Sequence, residues 1–561
     1  LKSRFGCRRP EAPLTVGALL RAGALSTMGE LLSGSERSPC AQVERPLRAG
    51  VPKVEACSGP PEVAADGRPE APRGEAGSKI WLLTWGTRGD VQPFLPLGLA
   101  LQAAGHDVRV FAMSFFENMF TSYGLPFEPL DKERLAEAMR TDFRLTAHLF
   151  EEAELDCPDM VMYFHLMVRP ALALAAKFGA IPVQTLTFMS HSHLMPPILF
   201  YMSMAWKEDV VSAFGSSPLD DMGIAGYAEI FQGKRQVVGV SPLMFDHGLS
   251  RNEIIDGIAD NMELREHVRR CYTGCWALPA ERQLQAGDRK VFGGDQTKMQ
   301  VSDFIRAGDA LPVYMGWGSM GHAGGPKRLA SLVVKSLKLA MCRGIFVAGW
   351  SGLTLDVFKE ALEEEDEHWG YAYPDSLAKY AEEEVLFLEA APHEWVFPQC
   401  ACNVHHGGAG TTQAALRAGV PTIVVPVTVD QPWNGEWVEK LGCGKVTKSL
   451  HEVVPEDLSE ALRAVLDDGG IGAKAREVAE RMRAEPGVAG AVEIVNEILT
   501  APHEVDEPGL HPSGREATCG EPEPPGLTMR WWIASAALLF AAAAAPGLFP
   551  QGLVAVQSLA L

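Results

Sequence analysis

"NVHHGGAGTT", Asn403 to Thr412, places two histidines ahead of three glycines in four residues and follows them with two threonines. Its flanks decide how it folds. "ACNVHH" is an apolar run of strand length and "GTTQAALRAG" carries helical spacing, so the segment reads as a strand, a glycine turn and a helix beginning at about Gly410. A helix N-terminus presents unpaired N–H groups and partial positive charge, which suits a phosphate. Gly407, Gly408 and Gly410, with Ala409 among them, let a ligand approach the backbone closely. Thr411 and Thr412 add hydroxyl donors, and His406 at the rim is placed to donate to a diphosphate oxygen. No Lys-Ser/Thr pair follows the glycines, so the turn is not a P-loop. Taken alone, the same residues also suit an ordinary glycine-rich turn with a threonine cap.

The next run, "PTIVVPVTVDQPWNGEWV", reads as a strand whose carboxyl end carries Asp430 and Gln431. An acid–amide pair there accepts from and donates to vicinal hydroxyls, as on a sugar. Successive strands bring the two loops close, a diphosphate site beside a polyol site. The same alternation runs through the chain. "KIWLLTW", "GTRGD", "VQPFLPLGLALQAAGH" and "DVRVFA" make a β–loop–α–β unit, and "PDMVMYFHL", "RPALALAAKFGA" and "IPVQTLTF" extend it. "PVYMGWGS", "LASLVVKSLKLAM", "GIFVAGW" and "EVLFLEA" restart it. Strands that are apolar throughout fit parallel sheets covered on both faces. The expectation is an α/β protein with two doubly wound domains, 79–295 and 310–500, and a looser join near 280–310. Ligands of such sheets sit beyond the carboxyl ends of the strands, here in an interdomain cleft.

The 561 residues suffice for two such domains, and 47% of them are apolar. A formal charge of -21 argues against nucleic acid as a partner, since phosphate neutralisation needs basic surface. Eleven scattered cysteines, with Cys271/Cys275 and Cys400/Cys402 the nearest sets, lack zinc spacing and read as reduced thiols of a cytosolic protein. The chain starts at Leu1, which reads as a fragment or as translated leader. Residues 1–78, rich in Pro, Gly, Ala, Arg and Glu, read as a disordered extension, with an Arg-rich opening that also suits a transit peptide. An acidic, Pro-rich linker over 501–529 precedes an apolar tail, 530–561, with no charge from Trp531 onward. Trp531 and Trp532 beside Arg530 suit a membrane interface, while Pro546, Gly547 and Pro550 break a long helix. The tail therefore reads either as a membrane anchor or as an apolar surface segment.

Several of these motifs, taken in order, carry a likeness. "GTRGDVQPFLPLGLALQAAGH", "PVYMGWGSM", "CRGIFVAGWSGL", "APHEWVFPQCACNVHHGGAGTTQAALRAGVPTIVVPV" and "DQPWNGEWV" resemble the UDP-glucose:sterol glucosyltransferases and their bacterial antibiotic-glycosyltransferase relatives. The resemblance covers about 79–500 and weakens across 130–310, where acceptors are expected to bind. It implies a GT-B fold, two facing Rossmann-like domains, with metal-independent transfer and inversion at the anomeric carbon. It implies that His406 and the Gly407–Thr412 turn hold the diphosphate with help from Ser319. Pro392, His393 and Trp395 would lie by the uracil, and Asp430 and Gln431 would hold glucose. No cofactor is implied, because the UDP-sugar is a co-substrate, and no metal. Val429, where many sterol enzymes have glycine, and Pro432-Trp433-Asn434 depart from the pattern.

Inverting transfer needs a base within hydrogen-bond reach of the acceptor hydroxyl. Asp90 in "GTRGD" is the candidate, and the resemblance points to the same position; its alternative role is to cap the following helix. Arg88 is expected at phosphate or in a structural role, since contact with Asp90 would weaken the base. His106, His165, His191 and His193 are further imidazoles, the last two near the expected acceptor path. Methionine-rich and aromatic runs such as "MVMYFHLM" suit a hydrophobic acceptor pocket as well as plain core. The expected activity is transfer of a hexose, glucose, to a sterol or similar hydrophobic alcohol. Its rivals are transfer to a polyketide, terpenoid or other secondary metabolite, a non-catalytic nucleotide-sugar or lipid-binding relative, and an epimerase using Glu394 or Glu436.

Overall fold

The uninterrupted apolar runs build two parallel sheets. The computed structural model describes residues 77–130, 145–188, 210–211, 218–219, 236–246, 271–285, 292–320, 325–349, 353–369, 376–428 and 430–500. The first sheet contains β1 (Lys79–Leu83), β2 (Asp107–Ala112), β3 (Phe127–Pro129), β4 (Met160–Phe164), β5 (Ile181–Leu186) and β6 (Gln236–Val238). The second contains β7 (Val313–Gly316), β8 (Gly344–Val347), β9 (Val385–Leu388), β10 (Cys402–His405), β11 (Thr422–Val424) and β12 (Gly444–Val446). Their orders are β3-β2-β1-β4-β5-β6 and β12-β11-β10-β7-β8-β9. Every pairing is parallel. The winding reverses between β1 and β4 in one sheet and between β7 and β10 in the other, which defines the switch points where such folds bind ligands. The expected doubly wound α/β architecture is therefore present twice.

Helices cover both sheets by burying one apolar stripe each. Pro326–Ala340 buries Leu329, Val333 and Leu337, while Phe94–Ala103 buries Phe94, Leu97 and Leu101. Trp81 of β1 lies against Phe111 of β2 at 4.4 Å between ring centres, and Phe94 meets Phe164 edge-on at 6.5 Å. Three differences from the sequence pattern have physical causes. The strands β3, β6 and β12 are three residues each, too short for periodicity to register. The helix Gly294–Arg306 occupies the stretch expected as a loose join; its polar face diluted the apolar signal. Val488–Thr500, counted with the second half, puts Ala491 and Val495 into the core of the first sheet.

Both sheets belong to one compact unit, Ala56–Leu561. Gln413, in the helix Ala409–Ala418, fastens them to one another. Its Oε1 accepts from Ser241 N–H at 2.9 Å and its Nε2 donates to the Gly239 carbonyl at 3.2 Å, just past β6. Among the described residues no helix is long and apolar enough to cross a membrane. The N-terminal extension, the acidic linker, the apolar tail, His191, His193 and Val429 all lie outside the described residues.

Candidate active site

At the end of β10 the chain turns at Gly407, whose φ is +86°. A Cβ there would sit 2.6 Å from Val424 Cγ1 and 2.9 Å from the Gln431 carbonyl oxygen, so the position demands glycine on both conformation and space. Gly410 differs, because a Cβ there would meet nothing. The helix begins at Ala409, one residue before the expected start. His405 Nδ1 accepts from Gly407 N–H at 3.0 Å, which puts the imidazole proton on Nε2. His405 Nε2, His406 Nδ1, Thr412 Oγ1 and Trp317 Nε1 are all buried without a hydrogen-bond partner among the described residues. Such atoms are costly, and several around one glycine turn mark a place built to receive a polar ligand. Burial lowers the His406 pKa to about 4, so the ring is neutral at physiological pH and donates from one nitrogen only.

Beside this turn, β11 stops at Val424, well short of Asp430. Pro426 cannot donate to a ladder, and the N–H groups of Val427 and Thr428 turn to Gln431 Oε1 at 2.8 and 3.1 Å. Asp430 and Gln431 are thus not at a strand end: Asp430 stands at the N-cap position of the helix Gln431–Lys440, without a capping hydrogen bond from its side chain, and Gln431 opens the helix. The Gln431 carbonyl holds its own loop, which leaves Nε2, without a partner among the described residues, to meet a ligand. Asn434 Nδ2 donates to the Gly407 carbonyl at 2.8 Å and to Asp430 Oδ2 at 2.9 Å. This buried asparagine, which looked like a departure in the sequence, couples the glycine turn to the acid. Burial raises the Asp430 pKa to about 6, with Asn434 opposing and the charge of Asp90 adding to the rise. Asn434→Ala would leave the Gly407 carbonyl and the Asp430 carboxylate short of a donor. It is expected to cost about 1–3 kcal/mol of stability, read from urea unfolding; an unchanged midpoint would mean that the link is idle.

The loop after β1 supplies the groups of the first half. Asp90 Oδ2 accepts from Thr87 N–H at 2.6 Å and from Thr87 Oγ at 2.9 Å, the back-reaching half of a capping box in the short helix Arg88–Val91. The cap weighed against catalysis, on the following helix, is not formed: Phe94–Ala103 has Pro93 at its N-cap, and Asp90 instead reaches back to Thr87 through one carboxylate oxygen, Oδ2. Burial raises the Asp90 pKa to about 6, with the Thr87 bonds pulling the other way. Arg88 turns elsewhere: Nε donates to Gln92 Oε1 at 2.7 Å and the guanidinium stands 5.3 Å from the centre of the Phe292 ring. Its charge reaches the second half, where it helps to depress the pKa of His393.

His393 pairs with the Tyr314 hydroxyl at 3.1 Å and stacks on Phe397 with ring centres 4.5 Å apart; burial above all holds its pKa at about 3. Trp395 is half-buried in the same short helix, His393–Val396, and Ser319 is half-buried just past β7. Glu394 faces Arg417 at 3.7 Å, and exposed Glu436 faces Lys440 at 3.8 Å, so both epimerase carboxylates are engaged by cations. His106 precedes β2 at the opposite end of the sheet and binds Asn496 Oδ1 at 2.9 Å through Nε2. His165, at the carboxyl end of β4, lies buried between Phe164 and Phe188 with its Nδ1 unpartnered. Tyr314, Trp317 and His405 carried no assigned role in the sequence, and Asn434 stood there only as a departure; only their closeness to the glycine motifs could have flagged them.

Residues 80–185 match the glycosyltransferase family 28 N-terminal domain, and residues 379–499 match the C-terminal domain of erythromycin biosynthesis protein CIII-like proteins. Among solved structures, the calicheamicin glycosyltransferase CalG4 aligns with a TM-score of 0.51 at 17% identity, covering 76% of this chain and 100% of that one. The spinosyn forosaminyltransferase SpnP gives 0.51 at 19% identity, covering 75% and 99%. These structures show a GT-B fold, and the family 28 domain with the sequence relatives makes the chain a glycosyltransferase. Within that class it is similar in sequence to sterol 3-beta-glucosyltransferases. One from Arabidopsis thaliana is 27% identical over 461 residues, covering 78% of this chain and 68% of the relative. One from Aspergillus oryzae is 29% identical over 454 residues, covering 74% of this chain and 30% of the relative.

Proposed function

We propose that the protein transfers glucose from UDP-glucose to the hydroxyl of a sterol or similarly hydrophobic alcohol, with inversion and without a metal ion in the reaction. The observation that carries this reading is the glycine turn after β10, around which His405 Nε2, His406 Nδ1, Thr412 Oγ1 and Trp317 Nε1 lie buried with no partner among the described residues. Asn434 ties Asp430, the acid assigned to the sugar, to that turn, and the charge of Asp90 in the first half adds to the rise of the Asp430 pKa. The acceptor oxygen attacks the anomeric carbon, its proton passes to the Asp90 carboxylate, and the carbon–oxygen bond pair leaves with UDP. The growing charge on UDP falls among the amides at the start of Ala409–Ala418, His406 and Thr411, which stabilise the transition state more than the ground state. Asp430 and Gln431 Nε2 orient the glucose hydroxyls, and Trp395 with His393 flanks the base. The choice of a sterol follows the names of the sequence relatives.

The test is full-length protein with UDP-glucose and a mixed lipid extract, with and without EDTA, well below the melting temperature. Mass spectrometry is expected to find a hexosyl-sterol in both samples. UDP release with a non-sterol product would move the acceptor to another secondary metabolite. No UDP release with any UDP-sugar would leave a nucleotide-sugar-binding relative. His406→Ala removes one donor to a charged oxygen, worth about 1.5–3 kcal/mol, so UDP affinity by calorimetry is expected to fall roughly 10–100-fold. Unchanged affinity would take His406 out of the diphosphate site.

A further inference from the structure

At the free edge of the first sheet, three side chains that the reaction does not use converge. Glu128 lies on β3, and His148 and Glu152 lie one turn apart on the helix Leu145–Leu155. One donor atom from each falls within 4.8 Å of the other two. His148 is 8% exposed, and its Nε2 is buried without a hydrogen bond although Glu128 Oε1 stands 3.4 Å away. The two atoms are thus close but misaligned for a proton between them. That spacing is what two donors on one tetrahedral ion show, since bonds of about 2.1 Å set the donors about 3.4 Å apart. Glu152 is held from behind: Arg109 Nη1 donates to its Oε2 at 2.9 Å, and Arg109 Nη2 faces Asp156 Oδ2 at 3.5 Å. Carboxylates that ligate metals are commonly fixed by such an outer partner, with the other oxygen turned to the ion.

We infer that Glu128, His148 and Glu152 form a binding site for a divalent transition ion of the zinc class, with water completing the coordination. One imidazole with two carboxylates suits zinc and cobalt better than calcium or magnesium, which prefer all-oxygen shells. The site is structural. It pins the edge strand β3 to the helix beside it, and β2 separates that edge from β1, whose loop carries Asp90. The sequence pattern does not show it, because Glu128 stands 20 and 24 positions from the other two ligands, on a separate element of a cysteine-free stretch.

The experiment strips full-length protein with chelator, removes the chelator and titrates Co²⁺, reading visible absorption together with bound metal by mass spectrometry. The expected result is one equivalent with nitrogen–oxygen d–d bands and no thiolate charge-transfer band, displaced by Zn²⁺, and a melting temperature that rises with added Zn²⁺. Glu128→Gln and His148→Ala are each expected to weaken that equivalent at least about tenfold, as loss of a ligand does. If His148→Ala fails to fold, Glu128→Gln alone decides. No stoichiometric binding by the wild-type chain would overturn the site. So would binding that persists in the variants or shows a thiolate band, which would place the ion on the chain's cysteines.

Discussion

Asp90→Asn is expected to cut turnover about 10²–10⁴-fold, the range that one positioned base contributes, while UDP binds as before. The substitution is conservative in structure, because an amide oxygen still accepts from the Thr87 N–H that Asp90 Oδ2 now engages. Only the ability to take a proton is lost. The pH profile separates this from a packing defect. The free-enzyme carboxyl titrates at about 6 because burial disfavours its charge. A base must be ionised to act, so kcat/KM should fall as pH drops through 6, and that limb should vanish in the variant. Stability runs the other way. A carboxyl whose folded pKa lies above its unfolded value binds more protons when folded, so Asp90 and Asp430 together stabilise the fold less as pH rises from about 4 through 6. Near-normal turnover in Asp90→Asn would reduce Asp90 to a helix cap.

Gly407→Ala is expected to be the most damaging change in the donor turn, weakening UDP binding roughly 100-fold, or about 2.7 kcal/mol, and lowering the melting temperature as well. The left-handed backbone costs an alanine about 1–2 kcal/mol, and the new methyl would press on the Gln431 carbonyl, a backbone atom that cannot swing away. Gly410→Ala is the informative control. Its methyl meets open space in the free protein, so the melt should stay put while UDP binding weakens if phosphate lies against that amide. Melting curves and calorimetry on the pair read both effects. Unchanged UDP affinity in both variants would remove the turn from the donor site.

Much of this was legible in the chain, for identifiable reasons. Strands buried on both faces are continuous apolar words, so "KIWLL" and "MVMYF" announced β1 and β4, and glycine-rich turns announced the switch points. Short, partly polar pieces such as β12, "GKV", carry no such word. Asp430 and Gln431 were expected at a strand end and lie at a helix start instead, because "PTIVVPVTV" looks like one strand until Pro426 withholds its N–H and Gln431 captures the amides that follow. Asn434 shows the sharper limit. Its value lies in two oxygen partners, one 27 residues upstream, and a spacing of that length has no signature in a single sequence. A cap was expected on the helix after Asp90; instead Asp90 reaches back to Thr87, across the separation a capping box requires.

The helix Val488–Thr500, which returns to bury Ala491 and Val495 in the first core, has a consequence for biosynthesis. The ribosome finishes β6 at Val238 and then has roughly 250 residues to make before this helix emerges, a wait of about 10–50 s at ordinary elongation rates. Through that interval the nascent first sheet lacks part of its own covering and keeps an apolar groove open. A chaperone that shields such grooves would have its longest dwell on this polypeptide at that stage. A stop codon just ahead of Val488 would make the exposure permanent, turning the late helix from a finishing piece into a checkpoint on whether the whole chain was made.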